Sequence, residues 1–116
     1  MKNFNINQRN GKVCSILDLQ GELDAHTASE LESALQDLIA RGQINIVVNF
    51  NELDYIASAG LGVFMAYIED VRNEGGDIKL TNMNDKVFNV FDLLGFPALY
   101  DILDDESVAI QKFSNA

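Results

Sequence analysis

The chain carries one cysteine, Cys14, one histidine, His26, one proline, Pro97, and no tryptophan. A lone cysteine excludes an internal disulfide and a cysteine-based zinc site, and a lone histidine excludes a histidine-rich metal centre. With one proline and no Ser/Gly/Pro-rich stretch, neither a linker nor a disordered class is indicated. Apolar runs are short: residues 44–48 are already interrupted by Asn45. A membrane span needs about 20 predominantly apolar residues, so the sequence predicts none. The opening residues, Met1-Lys2-Asn3-Phe4-Asn5, lack the apolar core of a secretory signal. These absences point to a cytoplasmic protein that uses no metal and no cofactor.

Basic residues are also scarce. There are 8 of them against 18 acidic ones, a formal net charge of -10. Such a surface repels phosphate backbones and anionic lipid, which disfavours nucleic acid and membrane as partners. A basic protein surface suits it better. Apart from residues 101–106 the acids are dispersed, as on a solubilising surface. What remains is a chain of 116 residues, 47% of them apolar. That is enough for one core, whereas two domains would each fall near the lower size limit, so one domain over residues 1–116 is expected.

Residues 12–19 (KVCSILDL) read as a strand, paired across the Asn10-Gly11 turn with a short strand at residues 4–8. Leu31, Ala34, Leu35, Leu38 and Ile39 fall on one face of a helix. Thr27 and Glu30 form a capping-box pattern before it, and Gly42 stops it. Residues 44–50 (INIVVNF) predict a central strand covered on both faces. Ser58 opens a second helix that buries Leu61, Phe64, Ile68 and Val71 and ends at Gly75-Gly76. Residues 77–81 alternate like a strand. A third helix, capped by Asn84 or Asp85, points Val87, Val90, Phe91 and Leu94 inward. Pro97 marks a turn, residues 99–103 a last strand, and a final helix from Asp104 or Asp105 buries Val108 and Phe113. Strands alternating with helices imply parallel pairing through crossovers. The fold class is therefore α/β, a mixed central sheet with about four α-helices.

The usual catalytic constellations are missing. Gly60-Leu61-Gly62 lacks the third glycine of a dinucleotide loop and any phosphate-binding lysine. A nucleophile elbow needs G-x-S-x-G, but Ile56 stands where its first glycine belongs. A Ser/His/Asp triad has only His26 to draw on. The sequence therefore reads as a binding module rather than an enzyme; a hydrolase built on Ser58 is the rival. Ser58 is the most informative residue. A serine before an amphipathic helix is a natural N-cap. The same position favours a phosphate, because a helix N-terminus offers free N–H donors and partial positive charge. Phosphorylation adds about -1.5 to -2 of charge there. Ala57, Ala59, Gly60 and Gly62 are small and leave the hydroxyl accessible.

Two blocks carry a family resemblance. Leu53-Asp54-Tyr55-Ile56-Ala57-Ser58-Ala59-Gly60-Leu61-Gly62-Val63 resembles the signature of the STAS domain, in particular of bacterial anti-sigma factor antagonists. Gln20-Gly21-Glu22-Leu23-Asp24-Ala25-His26-Thr27 resembles that family's earlier block. Their order and spacing also match, and the resemblance extends over nearly the whole chain. It implies a switch that binds a serine protein kinase doubling as anti-sigma factor, and is released when that kinase phosphorylates one serine. A PP2C-type phosphatase restores the binding form. By position the serine is Ser58. The residue before it is usually Asp in the family and is Ala57 here, so the acceptor is retained while the charge beside it is absent. The other role in the family is a regulatory subunit for another signalling enzyme or a transporter ATPase.

Glu22, Asp24, His26 and Thr27 occupy the loop between strand and helix. Asp24 suits a turn and Thr27 a cap, and the resemblance places the loop beside Ser58 on the partner-facing surface. Met65 lies at the edge of the second helix's buried stripe, where core edge and partner patch are equally compatible with its spacing. The expected partner-binding set is thus Glu22, Asp24, His26, Thr27, Ala57, Ser58, Ala59, Gly60, Gly62 and Met65. The chain itself is expected to be a monomer or weak dimer. Cys14, in a strand, reads as a small buried apolar residue.

Overall fold

The structure, a computed structural model, describes residues 3–114. β1 (Phe4–Asn10) and β2 (Ser15–Leu23) pair antiparallel, and the Gly11 N–H closes their turn on the Cys14 carbonyl at 2.9 Å. The chain then alternates: α1 (Ala28–Ala40), β3 (Asn45–Ile56), α2 (Ser58–Asn73), β4 (Asp77–Thr81) and α3 (Asp85–Leu93). A 3-10 turn (Phe96–Ala98), β5 (Ile102–Leu103) and α4 (Glu106–Ser114) complete it. Strand order is β1-β2-β3-β4-β5, with every pair after the first parallel. This is the mixed sheet with four α-helices that the alternation predicts.

β3 is the spine. Ile46, Val48 and Phe50 join the larger core, which α1, α2 and α3 cover, while Val47 faces the smaller one beneath α4. The central strand is therefore covered on both faces, as its near-continuous apolar run requires. In the larger core Phe50 meets Phe64 and Phe91 with ring centroids 5.8 and 5.6 Å apart. Edge-to-face geometry extends the cluster from Phe91 to Phe96 at 5.1 Å. In the smaller core Ala109 packs on Cys14, Ile16 and Val47, with Phe113 beside them. Burial pushes the Cys14 thiol up from its ordinary value, which suits an inert apolar role.

An ion pair and an amide hydrogen bond hold the start of α4 on this second face, and a lysine joins two further carboxylates beside it. The Glu106 carboxylate accepts from the Arg9 guanidinium and, at 2.9 Å, from the Asn49 amide. The Arg9 contact holds the Glu106 carboxyl below the usual carboxylate range, against the opposing effect of its burial. Lys79 donates to Asp101 at 2.7 Å and to Asp77 at 2.9 Å. Burial works against its charge, but the two carboxylates outweigh that and raise its pKa.

Several expectations about these elements change. β2 runs over Ser15–Leu23 rather than from residue 12, because Gly11–Cys14 are used in the turn. The last strand shrinks to Ile102–Leu103, since the 3-10 turn at Pro97 takes up the chain before it. Leu94 is 59% exposed: α3 ends at Leu93 and Gly95 turns left-handed, so the helical spacing from Val87 no longer applies. Val108 is 43% exposed, because α4 seats Ala109, Ile110 and Phe113 instead.

Candidate functional site

The two sequence blocks, residues 20–27 and 53–63, meet at the carboxyl ends of β2 and β3. In the parallel ladder Glu22 lies opposite Tyr55 and Leu23 opposite Ile56. The Leu23 carbonyl then accepts from the Ala57 N–H at 2.9 Å, which ties the end of β2 to the start of α2. Loop ends beyond parallel strands are where open α/β sheets place ligands and partners.

The loop after β2 is fixed by its own side chains. Asp24 Oδ1 accepts from the His26 N–H at 2.9 Å and from the Thr27 N–H at 3.2 Å, an Asx turn. The Thr27 hydroxyl accepts from the Asp24 N–H and donates to the Glu22 carbonyl, both at 2.9 Å. Thr27 therefore does not cap α1 as the capping-box pattern predicted; its side chain is turned back into the loop and makes no cap bond to the helix. Asp24 supplies that function one turn earlier, and its carbonyl also accepts from the Ala28 N–H at 2.8 Å. Glu22 and His26 are left exposed on this rigid loop, with Asp24 half-buried.

Helix α2 begins at Ser58, so the N-cap is Ala57 and not the serine. Ala57 has the extended backbone of a cap, φ -110° and ψ 170°, but no side-chain acceptor. The first amides of α2 thus lack a side-chain cap, and the exposed Ser58 hydroxyl sits among them. Ser58, Gly62 and Met65 fall at i, i+4 and i+7 on one exposed ridge, with Met65 57% exposed. That exposure assigns Met65 to the surface patch rather than the core edge. Ala57 and Ala59 are half-buried flanks.

Gly60 and Thr27, both expected on the partner-facing surface, are buried. Gly60 is a packing residue: a Cβ there would lie 2.7 Å from Leu23 Cγ and 3.2 Å from Ile56 Cγ1. Its lack of a side chain lets α2 descend onto the ends of β2 and β3. Gly62 is different, because a Cβ there would meet nothing within 4 Å.

Sequence reading missed Tyr55, which is 48% exposed opposite Glu22. Period-two alternation puts Tyr55 on the same face as buried Leu53. The β2–β3 ladder shifts register between Gly21 and Glu22, so Leu53 and Ile56 are both buried and Tyr55 is turned out. Among the described residues no group of three or more His, Cys, Asp or Glu is placed to hold a metal ion.

The fold thus brings one exposed serine to the strand ends, beside the loop that follows β2. The STAS domain family model matches residues 3–109, and the chain belongs to that family. The anti-sigma-B factor antagonist of Bacillus subtilis is 28% identical over 100 residues, 86% of this chain and 91% of that one. The unphosphorylated anti-sigma factor antagonist SpoIIAA shares the fold with a TM-score of 0.74 and 22% identity, over 97% of this chain and 99% of its own. The phosphorylated form of the Bacillus cell fate determinant SpoIIAA gives 0.71 and 23%, over 94% and 97%.

The missing cap makes a direct prediction. Ala57→Asp places a carboxylate where the extended backbone already suits an N-cap. It should stabilise the unphosphorylated protein by about 0.5–2 kcal/mol. Thermal unfolding should show a melting temperature several degrees higher. An unchanged or lower value would mean that repulsion from Asp54 and Asp24 cancels the cap.

Proposed function

We propose that this protein is an anti-sigma factor antagonist acting as a phospho-regulated partner switch, a binding module and not an enzyme. Unphosphorylated, it binds a serine protein kinase that doubles as an anti-sigma factor. Phosphorylation of Ser58 releases it, and a PP2C-type phosphatase resets it. The observation that carries this reading is the exposed Ser58 hydroxyl at the uncapped start of α2, flanked by the β2–α1 loop. A phosphate there has amide donors within its own first turn and leaves the core untouched.

The relatives support the reading. One is an anti-sigma-B factor antagonist, and SpoIIAA occurs in both a phosphorylated and an unphosphorylated form. They do not favour a subunit of another signalling enzyme or of a transporter ATPase. The exchange belongs in the cytoplasm; no helix among the described residues is long and apolar enough to cross a membrane. Glu22, Asp24 and His26 on the loop and Ala57, Ser58, Ala59, Gly62 and Met65 on α2 form the contact surface. Gly60 and Thr27 shape it from beneath.

Incubation with the cognate kinase and ATP should add one phosphate, which peptide mass spectrometry should locate at Ser58. Modification at Ser29, Ser33 or Ser107 with Ser58 untouched would overturn the assignment.

A further inference from the structure

The two edges of the sheet differ. β5 is two residues long, whereas β1 offers a seven-residue edge, FNINQRN, with no proline and an unbroken register against β2. Among the described residues no strand pairs with its outer side. Asn3 turns its carbonyl inward to accept from the Glu22 N–H at 2.7 Å. Alternation along an antiparallel ladder then turns the amides of Phe4, Ile6, Gln8 and Asn10 outward. Lysines, prolines and bulges normally blunt such an edge, and β1 has none of them.

Charge says what fits it. Residues 1–17 contain three basic residues and no acid, so the remaining chain carries a formal charge of -13. Arg9, the charged residue of β1, is already held by Asp18 and Glu106. The edge is therefore close to neutral. It neither attracts an acidic segment strongly nor adds to the repulsion between two acidic molecules. Two copies meeting at this edge pair strands that carry no acidic residue.

We propose that two copies of this chain associate through β1, antiparallel about a two-fold axis at Asn7, joining two five-stranded sheets into one of ten strands. In this register Phe4 of each copy pairs with Asn10 of the other, and Ile6 with Gln8, so all four outward residues find partners. A seven-residue strand is about 23 Å long. Pairing it with its copy buries less surface than the roughly 1,200 Å² of a stable complex, so the dimer is weak and concentration-dependent. Ser58 lies past the end of β3, two strands in from the β1 edge, so it is not a residue of this interface and the dimer does not depend on the proposed phosphorylation.

Sedimentation equilibrium of the full chain over roughly 10 μM to 1 mM, the range for interfaces this small, tests the proposal. The wild type should shift from monomer to dimer. Gln8→Pro removes an outward amide that β2 does not use, a substitution edge strands accept, and should weaken association at least about tenfold. Asn7→Lys leaves every amide in place and sets a lysine beside Asp18 of its own chain, to which Asn7 now donates at 3.4 Å. Across the axis it opposes its own copy, so it should also weaken the dimer, and high salt should reverse that loss. If Gln8→Pro lowers the melting temperature, Asn7→Lys decides. A wild type monomeric at the highest concentration, or a dimer that ignores Asn7→Lys, would overturn the proposal.

Discussion

Ser58→Asp should lose binding to the kinase that phosphorylates Ser58 by about 100-fold or more, while Ser58→Ala stays bound and cannot be switched. The reason lies in the surface around the serine. Ser58, Gly62 and Met65 form a ridge with little relief, because Gly62 has no side chain and Ala57 and Ala59 are half-buried. A partner seated on that ridge must desolvate whatever position 58 carries. A hydroxyl can be satisfied locally, but a carboxylate or phosphate buried without a counter-ion costs several kcal/mol. The chain already carries a net charge of -10, so further negative charge adds to the overall field in the same direction. Nothing in the core has to change. Phosphate at the first turn of α2 interacts favourably with the helix, so far-UV helicity should be retained. Titration calorimetry of the wild type, Ser58→Ala and Ser58→Asp against the kinase reads the difference. Equal or tighter binding by the Asp variant would mean the partner presents an arginine cluster to Ser58, and exclusion would be wrong.

The order of elements was legible in the sequence because the central strand and the first three helices carry clear periods. The apolar run around Val47 specifies a strand buried on both sides, and Leu31, Leu35 and Leu38 specify one helix face. Asn84 caps α3 as its position suggests, its Oδ1 accepting from the Val87 N–H at 2.8 Å. What failed depends on backbone geometry that no side-chain pattern reports. Thr27 matches a capping box, yet the Asx turn at Asp24 comes first and rotates its hydroxyl into the loop. Ser58 looks like a cap, but the ladder bond from the Ala57 N–H to Leu23 fixes the start of α2 one residue earlier. Gly60 and Gly62 are identical in sequence terms. Only the packing separates the one pressed onto Leu23 from the one facing solvent.

Gly21 shows the same dependence more strongly, and its replacement should be the most damaging single methyl addition near the site. Its backbone is left-handed, φ +94°, which costs an L-residue roughly 1–2 kcal/mol. A Cβ there would also fall 2.0 Å from the Asn3 carbonyl oxygen and 2.7 Å from the Asn3 carbonyl carbon. Both are backbone atoms, so no rotamer change relieves the overlap, and the start of β1 has to move. That movement breaks the bond from the Glu22 N–H to Asn3 at 2.7 Å and strains the ladder at its register shift. Overpacking of this kind costs about 1–3 kcal/mol. Gly21→Ala is therefore expected to lose about 2–5 kcal/mol in all, a large part of the 5–15 kcal/mol that holds a typical domain together. Gly62→Ala is the matched comparison. It adds the same methyl to an open helical position and should stabilise the fold by about 0.5–1 kcal/mol. Urea denaturation of the two variants beside the wild type measures both signs. If Gly21→Ala stays within about 1 kcal/mol of the wild type, β1 yields freely. The close approach of β1 to β2 would then not be what holds Glu22 and Leu23 in register with Tyr55 and Ile56 beside Ser58.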